Sequence, residues 1–162
     1  MNRLQRITRI ALLTALSLIL FILEGFLPLL LPVPGAKLGL AAIVTLIALY
    51  LLPARDAALM LTLRIVLASA FGGGLAPMIY SLAGGAASFA AMVLLKRYTQ
   101  LSIVGISAAG GFLHNMAQLL VAAAVLETTA LFVYAPVLGI VGIFTGILIG
   151  ITARGILQKI SI

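Results

Sequence analysis

Long apolar runs separated by short clusters of proline, glycine and charge set the pattern of this chain. The first run extends from Ile10 to Leu31 behind Arg3, Arg6 and Arg9, long enough for a helix to cross the roughly 30 Å hydrocarbon core of a bilayer. Pro28, Pro32, Pro34 and Gly35 then break it, because proline lacks an amide donor and restricts the residue before it. Further apolar segments span Leu38 to Leu52, Ala57 to Phe71, Leu75 to Leu95, Ser102 to Leu126 and Leu131 to Ala153, with Gly72, Gly73 and Gly74 making the turn before the fourth. The second and third fall short of the roughly 20 residues that a span needs, so they read as tilted or incomplete crossings. The pattern predicts an all-α integral membrane protein: one transmembrane domain over residues 1–162, a compact bundle of about six helices. A removable signal peptide fits the first run poorly, since the run is long, contains Glu24 and lacks a small-x-small cleavage site.

Composition agrees. Of 162 residues 64% are hydrophobic and only 8% charged, and the mean hydropathy is +1.34, so water is not the main solvent and no soluble catalytic module is expected. The net charge of +7 does not point to nucleic acid, because the basic residues sit at helix ends rather than on one solvated face. They read instead as topology signals and lipid anchors. Threaded from a cytoplasmic N-terminus, six spans put Arg3, Arg6, Arg9, Arg55, Lys96, Arg97, Arg154 and Lys159 inside and Lys37 outside, with both termini cytoplasmic. The absence of cysteine excludes disulfides and thiolate chemistry.

Polar residues inside the runs need a reason. Glu24 in the first span and Arg64 near the middle of the third are costly in hydrocarbon unless paired or wetted. They read as an ion pair that fixes packing, as the lining of a polar cavity, or as both. The fifth span carries Ser107, Gly110, Gly111, His114, Asn115 and Gln118, and helical spacing puts Ser107, Gly111, His114 and Gln118 on one face. Ligand contact is the favoured reading there, with interhelical hydrogen bonding as the alternative. No second histidine or suitably spaced carboxylate completes a metal shell, so no metal site is expected. Gly139, Gly142, Gly146 and Gly150 form a ridge for close packing, and Ala11 with Ala15, or Ala83, Ala87 and Ala91, form smaller ones.

Several chemistries are missing. There is no G-x-x-x-x-G-K-[ST] loop for ATP, no aspartate-rich pair for magnesium and diphosphate, no G-x-S-x-G elbow and no H-E-x-x-H helix. With Asp56 as the single aspartate, prenyl-diphosphate condensation is not expected, and neither is any other enzymatic activity or a cofactor. Active transport would draw its energy from another subunit or an ion gradient.

At Pro34-Gly35-Ala36-Lys37-Leu38-Gly39-Leu40, followed by Thr45 and Tyr50, then Ser81-Leu82-Ala83-Gly84-Gly85 and His114-Asn115-Met116-Ala117-Gln118, the chain resembles a bacterial membrane family over nearly its whole length. That family is the Gx transporters, also called heptaprenyl diphosphate synthase component I. The resemblance implies a protein like the substrate-binding S components of energy-coupling factor transporters, which capture a vitamin-like ligand on the outer side and work with a membrane coupling subunit and ATPase subunits. In that group an A-x-x-x-A ridge on the first helix contacts the coupling subunit, and Ala11 and Ala15 match it. The synthase name implies an alternative, a non-catalytic membrane accessory of isoprenoid or quinone synthesis.

The expected substrate-binding residues are thus Glu24, Lys37, Arg64, Tyr80, Ser81, His114, Asn115 and Gln118, with Ala11 and Ala15 facing a partner. Arg64, Lys37 and His114 suit an anionic or heteroaromatic ligand, Tyr80 a ring, and Glu24 an amine. The segment from Pro28 to Lys37 is expected to gate this cavity, with Gly35 as a hinge. A purely structural scaffold is a third reading, in which Glu24, Arg64 and His114 are replaceable.

Overall fold

The first helix begins earlier than its apolar run. Asn2 Oδ1 accepts from the Gln5 amide at 2.8 Å while Gln5 Oε1 accepts from the Asn2 amide at 3.3 Å, a reciprocal cap that satisfies two otherwise unpaired donors. Helix α1 therefore spans Arg3–Gly25 and carries all three N-terminal arginines. The computed structural model describes residues 2–26 and 39–160. Among them follow α2 (Leu40–Leu51), α3 (Ala54–Ala68), α4 (Leu75–Tyr98), α5 (Ile103–Val125) and α6 (Ala135–Ile160), with no strand. The expected ends of the first and second spans, from Leu27 to Leu31 and at Leu38, lie outside the described residues, as does the Pro28-to-Lys37 connector.

The glycine turn is shifted. Helix α3 runs on as a π-helical turn, Ser69–Gly73, and the break falls at Gly74, whose φ of +74° is left-handed backbone that a side chain would strain. Lys96 and Arg97, expected beyond the fourth span, form the last turn of α4, where cations suit the helix dipole. A 3₁₀ turn, Thr129–Tyr134, leads into α6.

Among the described residues four segments are long and apolar enough to cross a membrane: α1, α4, α5, and α6 with its preceding 3₁₀ turn. Their outer faces are dressed in large apolar side chains such as Leu12, Ile19, Phe144 and Ile151, which water would not tolerate and lipid does. The fold is a helical membrane bundle. Helices α2 and α3 fall short of a span. Helix α2 rises only about 18 Å over its twelve residues, and Val44 through Leu49 are all buried. It is the axis of the bundle, packed by α1, α3 and α6 and capped in the core by Phe89, Met92 and Ile106 from α4 and α5. Its middle turns are sheltered by these neighbours and exposure returns only toward its ends, at Leu51 above all.

Successive helices alternate in direction, so every ordered cross-link pins one of two ends. At the end holding the N-terminus, Arg6 grips the buried Asp56 of α3 with two hydrogen bonds, from Nε at 2.7 Å and from Nη2 at 2.5 Å, and Arg55 stands 3.8 Å from the same carboxylate. Lys96 donates to the Leu49 carbonyl at 2.7 Å and sits 4.3 Å from the centre of the Tyr50 ring, closing the C-terminus of α2. Between α5 and α6 the glycine ridge packs backbone on backbone. A Cβ on Gly146 would stand 2.5 Å from the Ser107 carbonyl oxygen, and one on Gly150 would stand 2.7 Å from Val104 Cα.

Candidate functional site

The opposite end of the bundle gathers the C-terminal half of α1, the start of α2, the end of α3, the start of α4, the end of α5 and the start of α6. Five of the eight expected binding residues contribute contacts there. Glu24 is buried near the end of α1, and its carboxylate reaches the N-terminus of α2: Oε1 accepts from the Gly39 amide at 2.5 Å and Oε2 from the Leu40 amide at 3.2 Å. An anion at a helix N-terminus is favoured by both the free amides and the helix dipole. Gly39 permits this closure because its φ is +81°, and a Cβ there would also stand 2.9 Å from Ile149 Cδ1.

Arg64 shares the inward face of α3 with Ala57, Met60 and Ala68, all buried. Its guanidinium lies 6.0 Å from the centre of the Phe21 ring and interacts electrostatically with Glu24 and His114. No ion pair joins it to Glu24 among the described residues, and its Nε is a buried donor with no hydrogen-bond partner there. Of the packing and cavity readings, the ion pair is thus not the arrangement found; Glu24 caps a helix beside Arg64 instead.

His114 and Gln118 meet α4 at Gly84. A Cβ on Gly84 would stand 2.8 Å from Gln118 Cγ and 2.9 Å from His114 Cε1, so the missing side chain is what seats both residues. Tyr80 and Ser81, half-buried, lie one turn before Gly84 on α4. The expected single polar face of α5 in fact divides. Ser107, Gly111 and Asn115 turn to α6, where Asn115 Nδ2 donates to the Leu138 carbonyl at 2.8 Å, whereas Gly110, His114 and Gln118 turn to α4. The interhelical reading therefore describes Asn115. The division follows from helical geometry: the face is flanked by two neighbours, and residues a few tens of degrees apart meet different ones.

Lys37 lies outside the described residues. Ala11 and Ala15 are exposed on the outer face of α1, away from the polar end, among large exposed side chains such as Leu12, Leu16 and Ile19. Two contributors escaped the sequence reading. Gly84 has a signal, since it belongs to the Ser81-to-Gly85 element, but nothing in a glycine says which side chain it seats. Phe21 has none, because one aromatic in an apolar run is ordinary. A groove of about 220 Å³ lies between α3 and α4, lined by apolar side chains such as Leu61, Ile65, Leu82 and Phe89 together with Thr62, and it shares no residue with the polar cluster. Among the described residues no three histidine, aspartate or glutamate side chains meet as a metal would require.

Residues 13–156 match the family model described as heptaprenyl diphosphate synthase component I. No curated protein and no solved structure matches the chain.

Proposed function

The chain belongs to the heptaprenyl diphosphate synthase component I family, and for this member we propose a substrate-binding membrane subunit, of the S-component type, that captures a small ligand for uptake driven by partner ATPases. The observation that carries the reading is the grouping of His114 and Gln118, both seated on Gly84, with Arg64, whose charge acts on His114 and Glu24, among otherwise apolar helices at one end of the bundle. Polar groups at such a depth are costly, and a ligand that they bind supplies the compensation. The protein binds and does not catalyse in this reading: its sequence carries no nucleotide loop and no aspartate-rich motif.

Orientation supports the same reading. Arg3, Arg6, Arg9, Arg55, Lys96, Arg97, Arg154 and Lys159 all belong to the end opposite the polar cluster, which the positive-inside tendency assigns to the cytoplasm of a bacterial cell. Six crossings with both termini inside then turn the polar cluster outward, where a ligand arrives. The exposed Ala11 and Ala15 ridge lets a helix of a coupling subunit approach closely.

The family description favours a second reading, a membrane accessory of heptaprenyl diphosphate synthesis without catalytic residues of its own. Affinity purification from native membranes in mild detergent separates the two. Recovery of a membrane coupling subunit with ATPases supports the transport subunit; recovery of a soluble prenyltransferase without them supports the accessory and overturns the transport reading.

A further inference from the structure

We propose that Arg64 is the anion-recognition residue of this site, and that the ligand presents a carboxylate or phosphate to it rather than an amine to Glu24. The inference rests on the ligand-binding reading of this end of the bundle and adds the chemical class of the ligand.

The whole sequence contains three acidic side chains, Glu24, Asp56 and Glu127, so none lies in the stretch between the described segments. Asp56 is held by Arg6 and Arg55 at the opposite end. Glu127 is exposed in the turn after α5 and forms no ion pair among the described residues. Glu24 is the acid nearest to Arg64 in effect, yet each of its oxygens already accepts a backbone amide, from Gly39 and from Leu40. An amine could take only the lone pairs that the cap leaves free, on a carboxylate already stabilised by two amides and by the field of Arg64.

Arg64 is the complement. Its Nε–H is buried with no acceptor among the described residues, and a guanidinium does not escape by losing its proton. A buried donor without an acceptor is costly, more so when charged. The group that best meets a guanidinium is a planar or tetrahedral oxyanion with two oxygens, which accepts from the fork in a bidentate manner. His114 and Gln118, seated on Gly84, then supply further donors and acceptors to the rest of the ligand.

The same oxyanion chemistry can arrive on a soluble metabolite or on a lipid headgroup. The test is the thermal unfolding of the full chain in neutral detergent at constant ionic strength, titrated with sodium phosphate, sodium benzoate, methylammonium chloride or, in mixed micelles, phosphatidic acid against phosphatidylcholine. At least one anion should raise Tm saturably, by about 3–6 °C at ten times its Kd. R64Q should abolish the rise and R64K should retain a reduced one, while methylammonium has no effect. A response to phosphate or benzoate assigns a soluble ligand, and a response to phosphatidic acid alone assigns a lipid. R64Q without added anion should still fold, because Glu24 keeps its two backbone amides when the cation that acts on it is lost.

The proposal is overturned by a methylammonium response equal to that of the anions, by an undiminished anion response in R64Q, by no response to any anion, or by failure of both R64Q and R64K to fold. Co-purification of a coupling subunit alongside an amine response sinks this inference alone. An anion response without any coupling subunit sinks only the transport reading.

Discussion

The carboxylate of Glu24 accepts the amide of Gly39 at 2.5 Å and so ties the end of α1 to the start of α2. A buried acid that sequence reasoning offers as an amine receptor is, in the structure, a helix cap placed beside a cation. E24A removes both accepted hydrogen bonds and the only acid acting on Arg64, and should destabilise the protein by about 2 kcal/mol, at the upper end of the range for lost caps. E24Q keeps one side-chain oxygen as an acceptor and should cost roughly half as much. Equal unfolding temperatures for E24A and the parent protein would show that the cap carries no stability.

The glycines of α6 make opposite predictions according to what faces them. G146A drives a Cβ to 2.5 Å from the Ser107 carbonyl oxygen and 2.8 Å from Ala108 Cα, both backbone atoms that cannot step aside. Separating α5 from α6 should cost about 2 kcal/mol or more. G155A meets nothing within 4 Å and should stabilise α6 by about 0.5–1 kcal/mol through helix propensity alone. Paired thermal melts check both signs.

Gly84 separates ligand geometry from folding. The atoms that a Cβ would meet there belong to the His114 and Gln118 side chains, not to backbone, so G84A should displace those two while leaving the bundle assembled. Ligand affinity should fall about tenfold or more, as expected for a site whose groups are misplaced by about 1 Å. Wild-type affinity in G84A would show that His114 and Gln118 do not touch the ligand.

Much of the fold was legible because the bilayer simplifies the code. Helices are the natural way to satisfy backbone groups in lipid without closing a barrel, so long apolar runs become helices and breakers become turns. The ridge of Gly142, Gly146 and Gly150 also packs on the α5 backbone as its spacing predicts, whereas Gly139 meets the Phe112 ring. The burial of α2 was not legible, because a short, wholly apolar segment looks the same whether it meets lipid or protein. The site was legible as a set of residue types and not as a set of partners. Spacing placed Asn115 beside His114, yet a single residue step around α5 sends Asn115 to Leu138 of α6 and His114 to Gly84 of α4. The role of Glu24 depends on an amide fifteen residues away in sequence, which no local pattern encodes.

In the proposed function one end of this bundle holds a small molecule and the outer face of α1 holds a partner. Native mass spectrometry of the full-length protein, purified gently from its own membranes, tests both in a single spectrum. A retained small molecule is expected in the wild type and in A11L/A15L, with its loss in H114A and Q118A, and bound coupling subunit in the wild type, H114A and Q118A but not in A11L/A15L. Loss of both ligand and partner together in every variant, or a wild-type spectrum with no small molecule at all, would contradict the proposed function.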